Sequence, residues 1–255
     1  MNSLKERRFS LSVDAKACIP ALVPIVILFA FGQILKDGFA SSRNIASILT
    51  QAGLLVIISV GQAIVFFAGN CGIDLSVGAF VSMGALIGAK YMDGSNALIP
   101  LGIVIALAFG AAFGLINGLG IQFLRIPALA MTLAMSSVVN GFTMWYTDGL
   151  PQAKIPPALA SVGRALFGQV RPMMLLALVV IIVMELIMRR TRFGRSIYMV
   201  GSSRQAATLC GINMNLISVL AYTISGALSC VGGLLFIGYV GAGQLGMGED
   251  YTMQT

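Results

Sequence analysis

The segment TRFGRSIYMVGSSRQAATLCGI, residues 191–212, decides how this chain is read. It is a basic, glycine-punctuated island between two long apolar runs. An island of this size is too long for a simple turn between spanning helices and too short for a soluble domain. Its size and composition suit a docking element presented to a partner outside the membrane layer.

Outward from that island the chain is membrane material. Of its 255 residues 58% are hydrophobic and only 10% charged, whereas soluble domains carry about 25% charged residues. A soluble protein this apolar would expose more nonpolar surface than water tolerates. The expected fold is therefore all-α, a polytopic transmembrane helical bundle. The apolar runs are continuous rather than alternating, which excludes a barrel of strands.

A spanning helix needs about 20 largely apolar residues. By that rule about seven spans are expected, near 18–35, 45–68, 76–90, 97–123, 127–146, 171–188 and 213–240. The third is short, and so a candidate for a tilted, broken or partly inserted helix. The first follows Lys5, Arg7 and Arg8, and no small-residue cleavage site closes it, so it reads as an uncleaved helix.

The net charge of +7 comes from sixteen Lys and Arg residues confined to short polar interludes. That placement sets orientation and does not point to nucleic acid. With the N-terminus inside, the cytoplasmic set is Lys5, Arg7, Arg8, Lys16, Arg125, Arg189, Arg190, Arg192, Arg195 and Arg204. The smaller outer set is Lys36, Arg43, Lys90, Lys154, Arg164 and Arg171. The expected order is a cytoplasmic tail (1–17), a membrane domain (18–240) with 189–212 as a cytoplasmic loop, and an extracytoplasmic stretch (241–255). Trp145 and Tyr146, closing the fifth span, suit the headgroup level. The chain has no His, and Cys18, Cys71, Cys210 and Cys230 show no paired spacing. No metal site, cofactor or catalytic residue is expected.

Two spans carry small residues at every fourth position. Gly102, Ala106, Gly110, Gly114 and Gly118 form one ridge; Ala221, Ser225, Ser229 and Gly233 form another. Such ridges let helix backbones approach closely in lipid. Within AGNCGIDLSVGAF (68–80), Gly69 and Gly72 loosen the backbone while Asp74 and Ser76 offer capping oxygens. A carboxylate at membrane depth costs about 2.5–3.5 kcal/mol on insertion scales, so it needs a partner or a wet cavity. Two readings stand: Asp74 or Ser76 caps the third helix, or the stretch is a broken helix lining a pathway with Asn117. Asn117 and Asn140 each read by default as interhelical hydrogen-bonding amides, and Glu185 as an i,i+4 partner of Arg189.

Three runs occur in order: GIDLSVGA (72–79), GLINGLGIQFLRIPALAMTL (114–133) and FGRSIYMVGSSRQAATLCGI (193–212). In these the chain resembles the permease subunits of bacterial ABC importers for monosaccharides, from about residue 45 onward. The resemblance implies a subunit of the inner membrane without its own ATPase. Its partners would be ABC ATP-binding subunits, a second permease subunit (identical or related), a periplasmic sugar-binding protein and membrane lipid. It also implies that Gly194, Arg195, Gly201, Ala206, Ala207, Gly211 and Ile212 belong to a cytoplasmic coupling helix. Gly201 and Gly211 bracket good helix formers about two turns long, and Ala206 with Ala207 would offer a small face to a cleft.

Two features depart from that family. Gly201-Ser202-Ser203 stands where members usually read Gly-Asn. The chain also ends at GMGEDYTMQT, where members continue into further helices, so a C-terminally truncated permease, functional or not, is the expectation. Branched-chain amino-acid permeases are distant relatives of similar layout, but Tyr198 and Gln205 differ from their pattern and favour sugar. The competing class is a carrier or channel driven by an ion gradient, for which Asp74 is the lone intramembrane candidate.

Overall fold

The computed structural model describes residues 15–68, 72–165 and 169–255. Lys5, Arg7, Arg8, Gly69 and Cys71 lie outside the described residues, as do the side chains of Lys16 and Cys18. The helices run α1 (Ala15–Leu35), α2 (Ser42–Ala68), α3 (Val77–Met92), α4 (Ile99–Phe123), α5 (Ala128–Tyr146) and α6 (Pro157–Ala160). They continue as α7 (Pro172–Arg190), α8 (Arg192–Ser202), α9 (Arg204–Leu209), α10 (Met214–Val240) and α11 (Glu249–Gln254). Among the described residues there is no strand; Gln152 and Gly243 form an isolated bridge.

Five helical segments are long and apolar enough to cross a membrane: Ser42–Ala68, Asn96–Phe123, Ala128–Tyr146, Pro172–Arg190 and Met214–Val240. Val23–Leu35 and Val77–Met92 are shorter apolar helices. The fold is thus the all-α polytopic bundle expected, with the third segment short as read.

The chain divides into two compact units between Ser47 and Ile48. In the first, the turn after α1 is tied by its own side chains. Gln33 Oε1 accepts the Ala40 N–H at 2.8 Å, and Asn44 Nδ2 donates to the Phe39 carbonyl at 2.7 Å. The apolar side chains of α1 point outward (Val26, Leu28 and Ile34 are exposed), as suits contact with lipid tails.

In the second unit α10 is the axis, and its small residues work on two faces. Toward α4, a Cβ on Gly110 or Gly226 would strike the other's carbonyl oxygen, and one on Gly118 would sit 2.7 Å from Val219 Cα. Toward α3, a Cβ on Gly84 would strike the Cys230 backbone and one on Gly233 the Val81 carbonyl. Gly110, Gly114 and Gly118 of the expected α4 ridge therefore pack on the Gly226 face of α10, while Gly102 meets Met92 and the Gly88 carbonyl of α3; Ser225 and Gly233 serve α2 and α3.

Fourteen residues of the sixteen-residue α3 are buried. At about 1.5 Å per residue it is about 24 Å long, short of the roughly 30 Å hydrocarbon layer. A helix walled by protein need not span. The outer helices behave oppositely: α5 buries one stripe, Thr132, Met135, Val139 and Thr143, and α7 buries only Met173 and Ala177. The stretch 241–255, expected as an extracytoplasmic loop, packs along α3. A Cβ on Gly243 would lie 3.4 Å from Leu86 Cδ2, the Gly248 N–H donates to Ser82 Oγ at 3.0 Å, and the Gly78 N–H donates to Thr252 Oγ1 at 3.2 Å.

Candidate functional site

Polar side chains concentrate at two places in the bundle. The first is the break between α2 and α3. Ending a helix inside a bundle strands backbone groups that need partners, and side chains supply them. Asp74 Oδ1 accepts the Ser76 N–H at 3.0 Å and also the Ser76 hydroxyl. Its other oxygen, Oδ2, accepts the Ser225 hydroxyl of α10 at 3.2 Å. Asn117 of α4 donates Nδ2 to Ser76 Oγ at 2.9 Å. At the other rim, Ser218 donates to the Ala68 carbonyl at 3.2 Å.

Asp74, Ser76 and Asn117, singled out in the sequence for a pathway, thus form one connected network with Ser225. All four are at most 1% exposed. Asp74 closes a two-residue turn on Ser76 and bolts the break to α10; Ser76 precedes α3 without itself capping it by a side-chain bond. The Asn117 Oδ1 is buried without a hydrogen-bond partner, as are Gln62 Oε1 and Asn140 Oδ1. Gly72 and Ile73 face a cavity of about 510 Å³ that also reaches Tyr222 of α10.

The second place is the α8–α9 hairpin, where side chains cap each helix start. Thr191 Oγ1 accepts the Gly194 N–H at 3.2 Å, Ser203 Oγ the Ala206 N–H at 3.3 Å, and Asn213 Oδ1 the Leu216 N–H at 3.1 Å. Gly211, at φ +73°, closes α9; its N–H and that of Ile212 return to the carbonyls of Thr208 and Ala207, both at 3.0 Å. Glycine takes this left-handed stop without strain. Glu185 and Arg189 pair one turn before the hairpin, as expected from their spacing.

The structure distributes the seven sequence-singled residues unevenly. Gly194 lies inside α8 where a Cβ would hit the Met188 backbone, and Gly201 also lies inside α8, its Cβ position 3.0 Å from the Phe67 carbonyl. Gly201 therefore does not open the second helix; Ser203 does. Ala207 is wholly buried with Ile197 and Val200, so it faces the chain's own core. Arg195, Ala206 and Gly211 are exposed and Ile212 half-buried. The outward apolar group is Leu209, 90% exposed. Sequence reasoning missed Leu209 and Ser225: the first is one Leu among many, and the second reads as a packing residue.

Residues 44–255 match the family described as branched-chain amino acid transport system / permease component. The autoinducer 2 import system permease protein LsrC of Photorhabdus luminescens is 28% identical over 224 residues, covering 88% of this chain and 66% of the relative. The ribose import permease protein RbsC of Escherichia coli (strain K12) is 30% identical over 240 residues, covering 91% of this chain and 73% of the relative. The chain spans slightly less than two thirds of that first relative's length. No solved structure matches it.

Proposed function

The chain belongs to the branched-chain amino acid transport system / permease component family, and we propose that it is the permease subunit of an ATP-driven importer for a monosaccharide or similar small polar solute. The similarity to a ribose import permease supports a sugar over an amino acid. ATP hydrolysis would belong to separate ATP-binding subunits, the solute would arrive on a periplasmic binding protein, and a second permease subunit would complete the membrane half. The N-terminus lies in the cytoplasm under this reading, with α8 and α9 on the same side.

The observation that carries the proposal is the α8–α9 hairpin. It is capped at its helix starts and packed on Phe67 and Met188, yet it displays Leu209 and Ala206 on its outer face. A rigid element that offers an apolar tip away from the lipid-facing helices is built to enter a partner's cleft. Movement of that partner reaches α10 through the Gly211–Asn213 turn. From α10 the Ser225–Asp74 bond carries it to the break before α3. Transport then follows from the ATPase and the binding protein favouring different arrangements of the same bundle. A carrier driven by an ion gradient would need a relay of buried ionisable groups; among the described residues Asp74 is the one buried charged side chain.

The test is capture of the tagged chain from native membrane in mild detergent, with partners identified by mass spectrometry. An ATP-binding subunit should be recovered with the parent chain. It should be lost from Leu209→Glu and weakened in Arg195→Glu, with helix content unchanged. Recovery of the well-folded chain without any ATPase would refute the assignment.

A further inference from the structure

The cavity beside the break has a charge pattern that neither packing nor transport coupling explains. Its walls join Gly72, Gln122 and Arg125 at the end of α4, Pro127 before α5, Arg204 of α9 and Tyr222 of α10. Among the described residues no acidic side chain lines it. Neither guanidinium, on Arg125 or Arg204, has an ion-pair partner among the described residues. Arg125 stands at φ +56°, in the left-handed stop where the N–H groups of Leu124 and Ile126 both return to the Gly120 carbonyl, at 3.2 and 3.4 Å. Glycine is the usual occupant of such a stop because a Cβ strains it. The preference for basic residues on the cytoplasmic side accounts for charge here. It does not account for an arginine at a position that glycine fills without strain.

We infer that this cavity binds a phosphate group, carried by a soluble phosphomonoester or by the headgroup of an anionic phospholipid. Two guanidinium forks from separate elements match the oxygens of one phosphate. Gln122 and Tyr222, which carry uncharged donors, line the same cavity. The volume, about 510 Å³, accommodates a phosphate with a small polar substituent. A bound phosphate would bridge Arg204 on α9 to Arg125 in the α4–α5 turn and so resist their separation. Its placement on the cytoplasmic side rests on the proposed orientation; the binding itself does not.

The full chain, purified in uncharged detergent, is titrated with inorganic phosphate and glucose 6-phosphate against chloride at matched ionic strength, reading thermal midpoint and equilibrium binding. In parallel, native mass spectrometry counts phosphatidylglycerol against phosphatidylcholine retained from mixed nanodiscs. Saturable binding in the first arm assigns a soluble phosphomonoester; selective phosphatidylglycerol retention in the second assigns a lipid headgroup. Arg125→Gly and Arg204→Gln should each weaken the positive arm at least tenfold. Arg125→Gly should fold at least as well as the parent, because glycine relieves the turn, so its loss of binding is not a loss of fold. No binding above chloride together with no lipid selectivity overturns the inference, as does parental affinity in either variant. Neither arm uses the ATPase, so failure to capture that subunit leaves this result standing.

Discussion

Replacing Ser225 by alanine removes one hydroxyl and, among the described residues, the one hydrogen bond between the Asp74 carboxylate and α10. The Ser225 Oγ to Asp74 Oδ2 distance is 3.2 Å, and both residues are at most 1% exposed. Water cannot replace the lost donor, so Oδ2 is left buried with an unmet acceptor site. Such a loss costs about 1–3 kcal/mol. Interhelical hydrogen bonds in membrane bundles average about 0.6 kcal/mol with a maximum near 1.7. The carboxylate acceptor and the complete burial place this bond above that average, at about 1–2 kcal/mol. At about tenfold per 1.4 kcal/mol, the unfolding equilibrium should shift by roughly 5- to 27-fold. Ser229, one turn along the same helix, is the internal control. It is equally buried, but its hydroxyl donates to the Ser225 carbonyl at 2.7 Å, within its own helix. Such back-bonding is close to neutral, so Ser229→Ala should cost less than about 0.5 kcal/mol. Reversible SDS titration in mixed micelles, followed by circular dichroism, reads both. Equal costs for the two variants, or none for Ser225→Ala, would refute the claim that Ser225 holds the break.

Gly84→Ala should destabilise by about 1–3 kcal/mol by the same titration, since its Cβ meets the unyielding Cys230 backbone and α3 must part from α10. Gly141→Ala should do the reverse: nothing lies within 4 Å of a Cβ there, and filling a helical glycine gains about 0.5–1 kcal/mol. Ser203→Ala should cost about 1 kcal/mol locally, seen as faster amide exchange confined to 204–209 with the remaining helices unchanged. Asp93→Asn should leave the thermal midpoint where it is. The Lys154–Asp93 pair spans 2.8 Å, but its side chains are 77% and 65% exposed, and exposed pairs contribute little.

The spans were legible because each is an uninterrupted apolar run, and burying or lipid-facing such a run needs no knowledge of its neighbours. The two small-residue ridges were equally visible, since a four-residue spacing is a property of one helix. What the ridges touch was not visible. That α10 divides its small residues between α4 on one face and α3 on the other depends on contacts more than a hundred residues apart. The hairpin shows the same limit. Its good helix formers lie after Gly201, yet the longer helix is α8, which contains Gly194, Ser196, Gly201 and Ser202. Burial of Ile197 and Val200 against neighbouring helices overrides weak propensity there. Ala207, expected on the outward face, turns to the core instead for a related reason: over a six-residue helix, two positions decide which side faces the core. Asp74 could be read as a cap or as a pathway group, and its link to Ser225 could not be read at all.

Helices α2 and α10 each run 27 residues, about 40 Å at 1.5 Å per residue, against a hydrocarbon layer of roughly 30 Å. They meet near Ala68 and Ser218, beside the residues that seat α8. Whatever share of the roughly 10 Å excess falls at that end lies beyond the hydrocarbon layer, at headgroup level, and carries α9 with it, like pilings under a pier. Under the proposed orientation, membrane thickness then sets how far the hairpin reaches toward water. A thicker bilayer would draw Leu209 back toward the surface, and a thinner one would extend it.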